Sequence, residues 1–115
     1  MRTTLLVLVI PVLVVAGCSS TPAPGPAPVR FNAEGNGQLT CMAHQRDNPD
    51  ADYADPGRVD LGRNLSVFKY FVLNGALGYC DRAGPNSSDR AWAQFYADQT
   101  SNRAPVAAIL DAPTS

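Results

Sequence analysis

The residue in this chain best suited to acid–base chemistry is His44, the only histidine. An imidazole titrates near neutral pH and is the side chain that most often moves a proton in catalysis. It ends the run Cys41-Met42-Ala43-His44, and Gln45 follows it. No serine has the context of a nucleophile elbow, and a single histidine without a spare cysteine does not make an ordinary zinc site. The sequence therefore shows a proton carrier but no catalytic partner for it.

The run loosely resembles the Cys-x-x-His helix of secreted calcium-dependent phospholipases, in which the histidine is a general base and the next residue is a calcium-binding aspartate. Here Gln45 stands in place of that aspartate, and no glycine-rich calcium loop precedes the run. Without the metal an ester oxyanion lacks its counter-charge, and losing such stabilisation typically costs about 10² to 10³ in rate. We therefore expect His44 to be a solvent-facing or core-edge histidine and the domain not to be an enzyme.

A group of closely spaced aspartates is the second candidate site, in this case for calcium: Asp47, Asp50, Asp52 and Asp55. Their spacing lacks the glycine and the distal glutamate of an EF-hand. The stretch from Asp47 to Gly57 also contains two prolines and shows no hydrophobic periodicity. We predict a solvated surface loop that binds neither a metal nor a cofactor.

Residues 1–17 have the proportions of a signal peptide, with Arg2 before an uncharged apolar run over residues 5–15. As a helix this run is about 17 Å long, too short for a bilayer core of ~30 Å. It ends in Val15-Ala16-Gly17-Cys18, which resembles the lipobox of bacterial lipoproteins. The resemblance implies a fatty-acylated diacylglyceryl group on Cys18, cleavage before it, and a location on the outer face of the cell membrane. An ordinary secretory signal with a chance cysteine is the alternative.

Residues 18–28 alternate prolines with small residues. Such a tract favours extended polyproline II structure and cannot bury a core. At ~3.1 Å per residue it separates the folded part from the lipid by up to about 30 Å. We interpret it as a lipidated tether, and a proline-rich ligand for a recognition domain is the alternative.

The remaining residues, 29–115, are expected to fold as one small domain. Cys41 and Cys80 are the only cysteines left once Cys18 carries lipid, and export places them in an oxidising compartment. A Cys41–Cys80 disulfide follows by elimination, with two free thiols as the alternative. Closing a loop of roughly forty residues stabilises a fold by about 4 kcal/mol in the chain-entropy model.

Hydrophobic spacing predicts a first helix from about Gln38 to Arg46, which would carry Cys41. A central helix is predicted from Asp60 to Asn74, ending at Gly75 in a left-handed turn. Its core side is read from the apolar residues at helical spacing: Leu61, Leu65, Val67, Phe68, Phe71 and Val72. On this reading Leu65→Ala would leave a core cavity.

A third helix is predicted to start at Ser87-Ser88-Asp89, with a capping serine, and to run to about Thr100. Its buried side would consist of Trp92, Phe95, Tyr96 and Gln99. Pro105 would open a last short helix, Val106 to Leu110. The predicted fold class is all-α, a small bundle of three to four short helices closed by one disulfide.

After residue 17 the chain holds eight basic and ten acidic side chains, without a basic run. This argues against a nucleic-acid partner. Arginine strongly outnumbers lysine, as is typical of a high-GC coding sequence. The aromatic residues are expected mostly to form the core: Tyr53, Tyr70, Tyr79, Trp92, Phe95 and Tyr96. If some of them make a partner surface, Tyr79 and Trp92 are the candidates, because such rings bury a face and keep a polar edge exposed to water.

We therefore expect a non-catalytic envelope lipoprotein that binds an envelope protein or wall component, a class that includes prophage lipoproteins that block superinfection. The alternative is a small lipid- or wall-acting hydrolase that uses His44.

Overall fold

The computed structural model describes residues 31–34 and 37–113, and this part of the chain is helical and contains no strand. The prediction of a small all-α fold is confirmed at that level. No described helix is long and apolar enough to cross a membrane. The signal peptide, Cys18 and the tether lie outside the described residues. The helices are α1 (Ala51–Ala54), α2 (Leu61–Asn74), α3 (Ser87–Thr100) and α4 (Ala107–Leu110), with one 3-10 turn, Ala104–Val106, before α4.

Helix α2 has its predicted boundaries, but the turn that follows it does not have the predicted conformation. Asp60 is the N-cap, and its side chain accepts a hydrogen bond from the Arg63 amide at 3.1 Å. Gly75 follows the last helical residue in an ordinary right-handed conformation, so the expected left-handed turn is wrong. A Cβ on Gly75 would lie 2.2 Å from the Pro105 carbonyl oxygen. The glycine is required because α2 ends directly against the 3-10 turn.

The side of α2 that faces the core is only partly the one that the apolar pattern predicts. Val67 and Phe71 are buried, as expected. Leu61, Leu65 and Val72 instead face solvent, with exposed fractions of 73%, 62% and 62%. The expectation of a core cavity in Leu65→Ala is therefore wrong.

Two buried asparagines occupy core-facing positions of α2. Asn74 accepts a hydrogen bond from the Leu39 amide at 2.7 Å and donates one to the Gly37 carbonyl at 3.1 Å. Asn64 donates to the Tyr53 carbonyl at 3.2 Å. Because buried backbone groups must find partners, α2 needs amide side chains where loops pack against it.

Helix α3 begins with a capping box rather than with the predicted capping serine. Asn86 is the N-cap and accepts from the Asp89 amide, while the Asp89 carboxylate accepts from the Asn86 amide. The predicted buried side is confirmed for Trp92, Phe95 and Tyr96, whereas Gln99 is exposed.

The stretch from Asp47 to Gly57 is not only a surface loop. It contains α1, capped by the Asp50 side chain, and Tyr53 on this helix is fully buried. The Tyr53 ring packs edge-on against Trp92, with the ring centroids 4.8 Å apart. Tyr53 was expected in the core as an aromatic residue, but the sequence around it lacks the periodicity that would have predicted α1.

The predicted first helix, Gln38 to Arg46, does not form. Met42 instead makes an isolated parallel bridge with Tyr79, in which the Met42 amide donates to the Gly78 carbonyl and the Cys80 amide donates to the Met42 carbonyl, both at 2.9 Å. The Cys41–Cys80 disulfide is confirmed, with its Cα atoms 5.0 Å apart. It joins an extended segment to the turn after α2, and does not clamp a first helix to α2.

The C-terminal part of the described chain packs back on α3. Pro105 lies within the 3-10 turn that opens α4, close to its predicted position. Arg90 on α3 donates hydrogen bonds to carbonyls in the last turn of α4 and just after it: Ile109, Leu110, Ala112 and Pro113. One guanidinium thus satisfies carbonyls that a helix end leaves without intrahelical partners.

Candidate functional site

His44 is positioned by the backbone on both sides of it. Before it, Met42 is bridged to Tyr79. After it, the Gln45 amide donates to the Asp89 carboxylate at 2.7 Å. The His44 carbonyl itself accepts from the Asn32 side chain at 2.5 Å. The segment is extended because its backbone groups bond to distant parts of the chain rather than to one another.

Both ring nitrogens of His44 face carboxylates. Nδ1 lies 2.6 Å from Oδ2 of Asp89, and Nε2 lies 2.8 Å and 2.9 Å from the two carboxylate oxygens of Asp81. The imidazole also stacks on the Tyr79 ring, with the centroids 4.2 Å apart and the planes 12° from parallel. We name these four residues, Asp81, His44, Asp89 and Tyr79, the histidine clasp.

The two carboxylates of the clasp lie in different surroundings. The Asp89 side chain is 1% exposed and also accepts from the backbone amides of Gln45 and Asn86. It is in the first turn of α3, where the helix dipole favours a negative charge. The Asp81 side chain is 55% exposed, and apart from His44 it accepts from the nearby Ala83 amide. Asp89 is therefore a fixed group, and Asp81 belongs to an exposed turn.

The charges of the clasp shift the titration of its members. Burial lowers the pKa of His44, but the hydrogen bonds and charges of Asp89 and Asp81 outweigh it, so that the pKa lies above the usual 6.5. The Ala83 amide and then His44 lower the pKa of Asp81. Burial, followed by the charge of Asp89, raises the pKa of Tyr79.

This geometry restricts what His44 can do chemically. A general base needs a free nitrogen that faces the proton it removes. Here Nδ1 is held by Asp89, as in a catalytic pair, but Nε2 is bonded to Asp81. Among the described residues, no hydroxyl or thiol is hydrogen-bonded to either nitrogen. The histidine is fully engaged with carboxylates.

A groove of about 380 Å³ adjoins the clasp. Tyr79 lines it as well as stacking on His44. Among the described residues, Arg82 is the one charged residue of its lining, and its backbone is left-handed, with φ of 64°. The other lining residues are small or apolar: Ala76, Leu77, Gly78, Ala83, Pro85, Ala108 and Ile109. The groove can thus take up an apolar group beside a single positive charge.

The two aromatic residues predicted for a partner surface have different positions. Tyr79 is partly exposed and lines the groove. Trp92 is fully buried, and its ring nitrogen donates to the Asp47 carbonyl at 2.7 Å, so its assignment to a surface is wrong. The amphipathic ring that suggested a binding edge is instead a core residue with its one donor satisfied.

Three of the four closely spaced aspartates, which were expected in a solvated loop, lie along α1 and at its ends. Asp50 caps α1, Asp52 lies in its first turn and Asp55 is its C-cap. Within residues 31–34 and 37–113, no group of three or more His, Cys, Asp or Glu residues has the arrangement of a metal site.

Sequence reasoning missed Asp81 and Asp89 as partners of His44. They lie 37 and 45 residues away along the chain, so no local spacing indicates the contacts. One signal was present: Asp89 follows Asn86 at capping-box spacing, which places its carboxylate at a helix start. Comparison of the chain with protein-family models, curated proteins and solved structures finds no match. The interpretation of the site therefore rests on its geometry.

Proposed function

We propose that this chain is a lipid-anchored extracytoplasmic lipoprotein whose folded domain is a non-catalytic binding module for an envelope protein or wall component. The anchor is proposed from the apolar run that ends at Val15-Ala16-Gly17-Cys18. The binding role is supported above all by the groove, which has an apolar lining, an aromatic wall at Tyr79 and one cation at Arg82. This combination suits an apolar segment that carries a carboxylate.

Membrane fractionation tests the anchor. Cys18→Ala should leave an uncleaved precursor or release the protein to the medium, because no thiol is left to acylate. The wild-type chain should partition into detergent at mature size. Detergent partitioning of Cys18→Ala at mature size would refute lipidation.

A groove-filling substitution tests the binding role. Ala108→Trp places a large side chain in the groove, whereas Ala54→Trp adds the same side chain at an exposed position of α1 outside it. A partner cross-linked to the wild-type domain on cells should be lost in Ala108→Trp and retained in Ala54→Trp. Arg82→Glu should also weaken the complex, since it reverses the charge that Arg82 brings to the lining. Equal cross-linking of all three variants would exclude the groove.

The alternative, a lipid- or wall-acting hydrolase, is favoured by one observation. Asp89 holds Nδ1 of His44 in the way that a carboxylate orients a catalytic histidine. General-base catalysis contributes ~10² to 10⁴-fold, so His44→Ala should lower such an activity by at least that factor. The engagement of Nε2 with Asp81 argues against this alternative. Loss of function in a folded, lipidated His44→Ala variant, with the groove still able to bind, would support it.

A further inference from the structure

The hydrogen-bond geometry of His44 calls for a charged imidazole. A neutral imidazole carries one N–H and one bare nitrogen, whereas an imidazolium carries two N–H donors. Carboxylate oxygens, which only accept when ionised, lie 2.6 Å from Nδ1 and 2.8 Å from Nε2. Only the imidazolium can donate to both. In the described part of the chain, His44 is also the one cation paired with the buried Asp89.

Deprotonation of His44 would act on the two carboxylates unequally. Asp89 is buried and is also held by two backbone amides, so the remaining proton is best kept on Nδ1. Nε2 would then present a lone pair to the Asp81 carboxylate oxygen 2.8 Å away. Two hydrogen-bond acceptors would face each other, and the hydrogen bond would be lost. Asp81 is exposed, and its other hydrogen bond is to the Ala83 amide in its own turn. It is therefore the member of the clasp that is free to leave.

The turn that carries Asp81 also forms part of the groove. Tyr79, Arg82 and Ala83 line it, so two lining residues directly flank Asp81 in the chain and Tyr79 stacks on His44 itself. Other ionisable groups around the clasp are Arg90 on α3 and Tyr70 on α2, which act electrostatically on Tyr79. Arg90 is bonded to backbone carbonyls. Neither residue offers Asp81 a substitute for the bond to His44.

We propose that the histidine clasp is a pH-sensitive device that controls the groove: protonated His44 ties Asp81, and with it Arg82 and Ala83, to α3, and its deprotonation releases Asp81 and loosens this part of the wall. Tyr79 and Cys80 stay held by the bridge to Met42 and by the disulfide. The proposal rests on the proposed binding function only in naming the groove as the regulated site. Since the clasp is complete when His44 is charged, the wall is ordered at lower pH and loosens as pH rises. Ligand binding in the groove should then be tighter at acidic pH.

Nuclear magnetic resonance tests this directly, because the chain holds one histidine and isotope-labelled histidine gives one signal. We would titrate the full chain in detergent micelles and follow the His44 ring together with the backbone amides of residues 79–83. The His44 midpoint should lie above that of a free histidine, and those amides should shift with the same midpoint. Asp81→Asn should lower the midpoint and abolish the coupled amide shifts. Asp98→Asn, an exposed aspartate on the far part of α3, is the matched control and should change neither.

Each contrary result overturns the proposal. A midpoint at or below that of free histidine would show that the clasp does not hold the charged form. A raised midpoint without shifts of the amides at 79–83 would show that the protonation state of His44 does not affect the groove wall. An unchanged midpoint and unchanged amide shifts in Asp81→Asn would show that Asp81 takes no part in the pH response. No ligand is added in this experiment, so its outcome is independent of whether the groove-filling variant loses a partner.

Discussion

Helices α2 and α3 each have fourteen residues, yet their apolar residues relate to the core differently. The large apolar residues of α3, among them Trp92 and Phe95, face inward. In α2, Leu61 and Leu65 face solvent while Asn64 is buried. The neighbours explain the difference, because α3 packs its rings against other rings, whereas α2 also packs against loops with backbone groups to satisfy. An inward face is set by what it meets as well as by hydrophobicity.

Trp92→Ala tests the α3 side of this comparison and should have the largest effect. The ring is fully buried and packs against Phe31 and Tyr53, with centroid distances of 5.0 Å and 4.8 Å. Its removal should lower the free energy of unfolding by ~3–5 kcal/mol through the cavity it leaves. Chemical denaturation measures this loss, and a change below about 1 kcal/mol would contradict a core centred on this ring.

Asn74→Ala tests the α2 side. The substitution leaves the Leu39 amide and the Gly37 carbonyl without their partner, so we expect a loss of ~1–3 kcal/mol although the new side chain is apolar. Asn74→Asp is a second variant that keeps an acceptor for Leu39. It loses the donor to Gly37 and places a carboxylate at a fully buried position, so it should cost at least as much as Asn74→Ala. Stability equal to wild type in Asn74→Ala would mean that the amide does not hold the loop.

His44→Gln tests how the start of α3 is anchored. Because the folded-state pKa of His44 is raised above its unfolded value of 6.5, its contribution is fully present below that pH and is lost as pH rises through the folded pKa. Thermal unfolding between pH 5 and 9 should therefore show a decline at the upper end that His44→Gln lacks. Parallel profiles for the two proteins would show that the clasp does not contribute to stability.

Leu65→Ala should have the smallest effect and separates the two accounts of α2 most sharply. The side chain is 62% exposed, and surface substitutions usually change stability by about 0.5 kcal/mol or less. A core position would instead cost ~2–5 kcal/mol. Val67→Ala on the buried side of the same helix is the positive control for denaturation measurements. A large loss of stability in Leu65→Ala would mean that this side of α2 is buried, as the apolar pattern predicted.

The sequence predicted elements whose signals are local. The limits of α2, the start of α3 near Asp89 and the helix after Pro105 follow from capping chemistry and periodicity, and the Cys41–Cys80 pair follows from counting. The extended form of residues 37–48 could not be predicted, because amides of that segment are held by Asn74 and Asp89 far along the chain.

The candidate site was predictable only in part. His44 was identified from its residue type, and Tyr79 was singled out for its ring. Asp81 and Asp89 were not, because they meet His44 only after the turn beyond α2 and the first turn of α3 have packed together. Tyr53 was expected among the core aromatic residues, but its place on a short helix was not, since its packing depends on rings elsewhere in the chain.

The hydrogen bonds of Arg90 have a consequence for the order of events during synthesis. Asp89 holds residues that precede α3 by more than forty positions, and Arg90 beside it holds carbonyls as far on as Pro113, 23 residues later. The hydrogen bond from Arg90 to Pro113 can therefore form only after residue 113 has been synthesised, whereas the capping box that starts α3 is local to Asn86 and Asp89. The contacts that fix the C-terminal part of the described chain on α3 thus form after α3 itself can begin.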